Sequence, residues 1–166
     1  MNKNLEKNEQ LIIAATNYAR AIFNVDEYLW VFINELNHFT GIDHSALYDK
    51  EHFLIRYNRE WLKSAKVDNI IKTAFHEVFH VVQHLAILEY DQGKNNGFFT
   101  NQDLKRMKHE FLDENYSTKL GKYEELLIEQ QAEEFALYLY KEYKKTFKDE
   151  SELVSKFLNL FVNKED

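Results

Sequence analysis

The sequence predicts an α+β fold that is predominantly α-helical, with a small antiparallel β-hairpin ahead of one long central helix. Three observations carry that expectation. The chain has no proline and only four glycines, so long helices can run without interruption. Apolar residues recur at helical spacing over most of its length, whereas residues 45–58 set two short β-branched and aromatic runs around a polar turn. At 166 residues, with 45% hydrophobic and 15% aromatic residues, the chain can bury a core as a single domain spanning 1–166.

The elements follow in order. "NEQLIIAATNYARAIF" (8–23) has the apolar spacing of a helix, and a second helix is expected after Asp26 through "EYLWVFINELNHF", so that 1–42 forms N-terminal helices ending at Gly41. "SALYDKEHFLIRYN" (45–58) is the hairpin, turning at Asp49, Lys50 and Glu51. Asn58 or Ser64 suits the cap of a short helical piece, and Asp68 the cap of the long helix. After the loop "DQGKNNGFFTNQ" (91–102), Thr100 and Asp103 resemble a capping box opening a helix to about Asn115. "YSTKLG" intervenes; a strongly periodic segment then runs from Lys122 to about Phe147, and "SELVSKFLNLF" lies in a C-terminal helix over 148–162.

Charge and composition exclude several functions. The net charge of −7, with Lys and Arg interleaved among Asp and Glu, argues against a nucleic-acid surface. The most basic run, "KEYKKTFK" (141–148), reads as a solvated helix end. Without cysteine, a metal site must use nitrogen and oxygen ligands. The first residues lack the apolar core and cleavage site of a secretory signal, and no run approaches a membrane span, so a cytoplasmic protein without membrane contact is expected.

The candidate site lies in "TAFHEVFHVVQH" (73–84). At about 100° per residue, Thr73, His76, Glu77, His80, Gln83 and His84 share one third of the helix circumference, and the rest is nearly all apolar. Such a helix is mostly buried, so its polar stripe must face a cleft or internal partners. In "HEVFH", His76 and His80 at i and i+4 can present two imidazole nitrogens to a single Zn²⁺. Glu77 beside them can act as general base toward an attacking water. Two core histidines beside an ion-paired glutamate would leave the same pattern, so a third ligand is decisive.

His84 is one turn beyond His80, and three successive turns separate first and last Cβ by about 11–12 Å, too far for one tetrahedral ion. It is expected to line the cleft or hydrogen-bond. The better candidate lies in "LLIEQQAEEFALYLY" (126–140), where Glu129, Ala132, Glu133 and Ala136 share a face and the alanines allow close approach of another helix. Glu129 can complete a His₂Glu site, with Glu125 a weaker alternative, and Glu133 can accept the outer N–H of a ligating histidine.

"HEVFHVVQH" followed by "EQQAEEFA" resembles the signature HExxHxxxH … ExxA[ND]xFA of the ImmA/IrrE-like zinc metallopeptidases, gluzincin-type enzymes of bacteria, phages and mobile elements. By position, the resemblance implies a zincin-like core over 45–140 with His76, His80 and Glu129 as zinc ligands and Glu77 as catalytic base. Glu133 departs from the family, which has Asn or Asp there. The resemblance further implies an edge strand that pairs with an extended protein or peptide substrate, for which "HFLIRYN" is the candidate, and a narrow regulatory role such as cleavage of a repressor. Tyr116, Tyr123 and His109 lie between the motifs, where an oxyanion donor could sit. Two competing readings remain: a catalytically silent zincin-fold module for metal binding or protein interaction, and a helical scaffold with buried histidines.

Overall fold

The computed structural model describes residues 3–25, 29–35, 45–95, 97–111 and 126–161. Helix α1 (Lys3–Phe23) is followed by strand β1 (Trp30–Asn34), then by β2 (Ala46–Asp49) and β3 (Leu54–Asn58). The short helix α2 (Arg59–Leu62) leads to α3 (Val67–Asp91), α4 (Asn101–Glu110), α5 (Leu127–Thr146) and α6 (Glu150–Phe157). The fold is α+β and mostly helical, as the sequence predicts. Among the described residues no helix is long and apolar enough to cross a membrane.

Helix α3 organises the molecule. Its 25 residues span about 37 Å, and its apolar faces are buried against several elements at once. Ile70, Ile71, Ala74, Phe75, Val78 and Val81 enter one core with Leu11, Ile12, Ala15 and Tyr18 of α1 and Ala136, Leu139 and Tyr143 of α5. Phe79, Ala86 and Ile87 enter a second with Leu104 and Met107 of α4 and Ile128 and Ala132 of α5. Each large apolar side chain buried in this way contributes roughly 1.5–3 kcal/mol. The alanine spacing expected of α5 does its work here: Ala132 and Ala136 are buried, so α5 lies close along α3.

The sheet departs from expectation in two respects. Trp30–Asn34 belongs to a strand, not to a second N-terminal helix. Its run of Trp, Val, Phe and Ile is too short for periodicity to separate the two structures, and aromatic and β-branched residues suit a pleated surface. Val31 and Ile33 face the core, whereas Trp30 and Phe32 are 59% and 45% exposed. The expected hairpin forms by antiparallel pairing of β2 with β3, but β1 adds to β3 in parallel, so the strand order is β1-β3-β2. "HFLIRYN" is therefore the central strand and not the edge strand; β2 and β1 are the edges. Leu54, Ile55, Tyr57 and Asn58 are buried, as a strand paired on both sides requires.

Local signals hold better. Asn58 caps α2 by accepting from the Glu60 N–H, and Thr100 caps α4 by accepting from the Asp103 N–H. Asp68 does not cap α3: Lys66 occupies that position without a side-chain bond, and Asp68 instead accepts from the Tyr140 hydroxyl of α5. Helix α5 begins at Leu127, five residues after its expected start.

Candidate metal centre

Three residues with metal-ligand side chains converge between α3 and α5. His76 Nε2 lies 3.0 Å from one Glu129 oxygen, His80 Nε2 lies 3.1 Å from the other, and the two Nε2 atoms are 3.1 Å apart. The i, i+4 spacing sets the imidazoles one turn apart on α3 with their planes nearly perpendicular, and Glu129 enters from the first turn of α5 opposite them. Glu129 and His80 are buried, at 4% and 6% exposed.

The arrangement fits a metal ion. A tetrahedral ion with bonds of 2.0–2.1 Å separates its ligand atoms by about 3.3 Å, close to the 3.1 Å between the two Nε2 atoms and to the distance from each imidazole to one of the Glu129 oxygens. Two Nε2 atoms facing each other cannot satisfy one another with two protons between them, whereas a cation satisfies both lone pairs and the carboxylate together. His76, His80 and Glu129 are thus a group that can hold a metal ion.

Protons are drawn to the same place. Burial pushes the His76 pKa down, but hydrogen bonds to Glu129 and Glu133 and the nearby carboxylate charges outweigh it, holding it up to about 10. His80 is likewise pushed down by burial yet raised overall by the Glu129 charge and hydrogen bond. Glu129 is raised by burial but held below the usual carboxylate range by the charge of His80 and hydrogen bonds from both imidazoles.

Each imidazole also has an outer partner. Glu133, one turn along α5, brings a carboxylate oxygen within 3.4 Å of His76 Nδ1. His80 Nδ1 donates to Gln83 Oε1 at 2.9 Å. The sequence had shown Gln83 on the polar stripe without a role; the residue is fully buried.

The charge of Glu77 raises the pKa of both His76 and His80, so its carboxylate lies in electrostatic reach of the cluster. One of its carboxylate oxygens is fully buried. Burial pushes the Tyr57 hydroxyl of β3 up in pKa and the charge of Glu77 adds to this, which places the two groups in electrostatic reach. His84 is not part of the candidate group. Its Nδ1 shares a 2.8 Å hydrogen bond with the Tyr48 hydroxyl of β2, and its ring stacks on Phe53 and Phe111. Phe53 reaches it from a backbone with φ of 49°, a left-handed conformation that costs about 1–3 kcal/mol in a residue other than glycine.

Two groups that act at the start of α5 had no role legible in the sequence. Glu110, the last residue of α4, accepts from the Leu127 and Ile128 N–H groups at 2.8 and 3.1 Å and so caps α5. The second is Gln83, whose Nε2 donates to Ile128 O and to Gln131 Oε1. Of the remaining candidates, His109 is exposed in the last turn of α4 and does not join the cluster. Tyr116, Tyr123 and Glu125 lie outside the described residues. No family model, curated protein or solved structure matches the chain.

Proposed function

We propose that the chain is a zinc metallopeptidase with a zincin-like fold, related to the ImmA/IrrE-like enzymes its motifs resemble. The observation that carries this reading is the convergence of His76, His80 and Glu129 within 3.0–3.1 Å, with Glu77 on the next position of the same helix. Two imidazoles and one carboxylate are the donor set of a catalytic zinc that keeps a coordination position open. Zinc held there supplies a Lewis acid that polarises a peptide carbonyl and lowers the pKa of water.

The chain's own groups do the rest. Glu77 takes a proton from the attacking water as its oxygen adds to the carbonyl carbon, then delivers it to the amide nitrogen as the C–N bond breaks. The products are a carboxylate and an amine. Edge strand β2 carries Tyr48 against α3, and among the described residues nothing pairs with its outer side, so an extended protein or peptide segment can add there as a further strand. A narrow regulatory substrate, such as a repressor encoded by a phage or mobile element, belongs to the same proposal.

The test combines elemental analysis with a degenerate peptide library read by mass spectrometry. Wild type should carry one zinc per chain and cleave library members; Glu77→Gln should keep the zinc and lose about 10²–10⁴-fold in cleavage rate. Zinc uptake with no cleavage by either protein would point to a catalytically silent metal-binding or interaction module. Absence of stoichiometric zinc would overturn the reading.

A further inference from the structure

The metal cluster is assembled from two helices, and one fully buried amide joins them at the point where its ligands meet. Gln83 donates through Nε2 to the backbone carbonyl of Ile128 at 3.2 Å and to Gln131 Oε1 at 2.9 Å, and accepts through Oε1 from His80 Nδ1 at 2.9 Å. Ile128 immediately precedes Glu129.

A backbone carbonyl can only accept, so its contact with Gln83 decides which end of the amide faces α5. The NH₂ group must point to Ile128 O, and the amide oxygen must then point to His80. An amide oxygen can only accept, so His80 must carry its proton on Nδ1. With Nδ1–H fixed in this way, the neutral ring has its lone pair on Nε2, the atom that faces His76 and Glu129, and any proton that a metal displaces leaves from Nε2. A fixed backbone group on one helix thereby dictates the tautomer of a ligand on another.

We infer that Gln83 is the positioning residue of the metal centre. It holds His80 in the tautomer that leaves Nε2 free for a metal and ties that choice to the placement of Glu129. The inference rests on the proposed metal site and deepens it, because ligating histidines ordinarily have their second nitrogen held by a carboxylate, a carbonyl or water. Here the role falls to an amide that also braces α5, and the brace continues through the Ile128 N–H to Glu110. Removing Gln83 would free the His80 ring to take the other tautomer or rotate, and would leave Ile128 O without this donor. Glutamate is nearly the same shape; in its protonated form it can accept from His80 and donate to Ile128 O.

The experiment measures zinc affinity by competition with a chromophoric chelator in wild type, Gln83→Leu, Gln83→Glu and Gln131→Leu, with circular dichroism to compare folding. Gln83→Leu should bind zinc about 10–100-fold more weakly at unchanged helical content. Gln83→Glu should recover most of that loss, and Gln131→Leu, which leaves the His80 contact intact, should stay close to wild type. A Gln83→Leu protein within twofold of wild type would overturn the inference, as would Gln131→Leu weakening zinc equally. The His80 tautomer in the wild-type protein, read by ¹⁵N NMR, gives a second readout that requires neither zinc nor a folded variant. A proton on Nδ1 is expected; a neutral ring with Nδ1 bare would overturn the inference even if zinc binds, whereas failure of wild type to take up zinc would count against the metallopeptidase reading alone.

Discussion

His80 and His84 stand one turn apart on the same helix, and the elements facing them give them opposite characters. Toward α5, His80 meets a buried carboxylate on one nitrogen and an amide oxygen on the other, and its pKa is raised against the pull of burial. Toward the sheet, His84 is enclosed by Tyr48, Phe53 and Phe111; burial and then the charge of Lys50 lower its pKa, favouring the neutral ring. On one flank of α3 the imidazole is held toward its charged form, on the other toward its neutral form. The difference teaches that an imidazole's chemistry is set by what packs against it rather than by its position in a motif.

The largest effect should come from exchanging these two residues for alanine. His80→Ala should abolish stoichiometric zinc after dialysis, beyond the 10–100-fold loss expected of a group that only orients a ligand. His84→Ala should keep one zinc per chain by elemental analysis. Loss of zinc from both would erase the distinction between the flanks.

The pH dependence of zinc uptake sharpens the same contrast. His76 has a folded-state pKa raised from 6.5 to about 10, so in the metal-free protein its proton stabilises the fold fully below about pH 6.5, and that contribution is lost as pH rises through about 10. Zinc needs the lone pair that this proton occupies. Its apparent affinity should therefore climb across that window, by about tenfold per pH unit for each proton displaced. Calorimetry in buffers of different ionisation enthalpy should show proton release on binding at pH 7.5, and an affinity already flat above pH 6.5 would contradict the raised pKa.

Smaller effects test the scaffold on each flank. Glu110→Ala removes the acceptor for the Leu127 and Ile128 N–H groups and should cost about 1.5–3 kcal/mol in urea denaturation of the metal-free protein. Tyr48→Phe deletes only the hydroxyl bonded to His84 and should cost about 1 kcal/mol, with zinc content unchanged. A Tyr48→Phe protein that lost zinc would place the sheet flank inside the metal centre.

The legible parts of the molecule were those whose cause is local. The candidate ligands His76 and His80 stand out from i, i+4 spacing on a helix that is otherwise apolar, and Glu129 from an acidic face spaced by alanines; the structure brings the three together. The caps Asn58 and Thr100 were legible because a cap bonds within its own first turn. Strand β1 was missed because four consecutive aromatic and β-branched residues fit either periodicity, and only pairing with β3 selects the strand. The edge strand was misassigned because strand order depends on β1 joining β3, which no property of the hairpin encodes.

From the sequence alone came the long buried helix, its polar stripe, and the nitrogen and oxygen ligands to which a chain without cysteine is limited. Periodicity and ligand chemistry travel with the residues themselves. Only the tertiary structure decided which partner each polar side chain meets: Gln83 with Ile128 O, Glu110 with the start of α5, His84 with Tyr48. Those choices depend on how α4, α5 and the sheet dock around α3, and docking is a property of packed volume shared among segments distant in the chain.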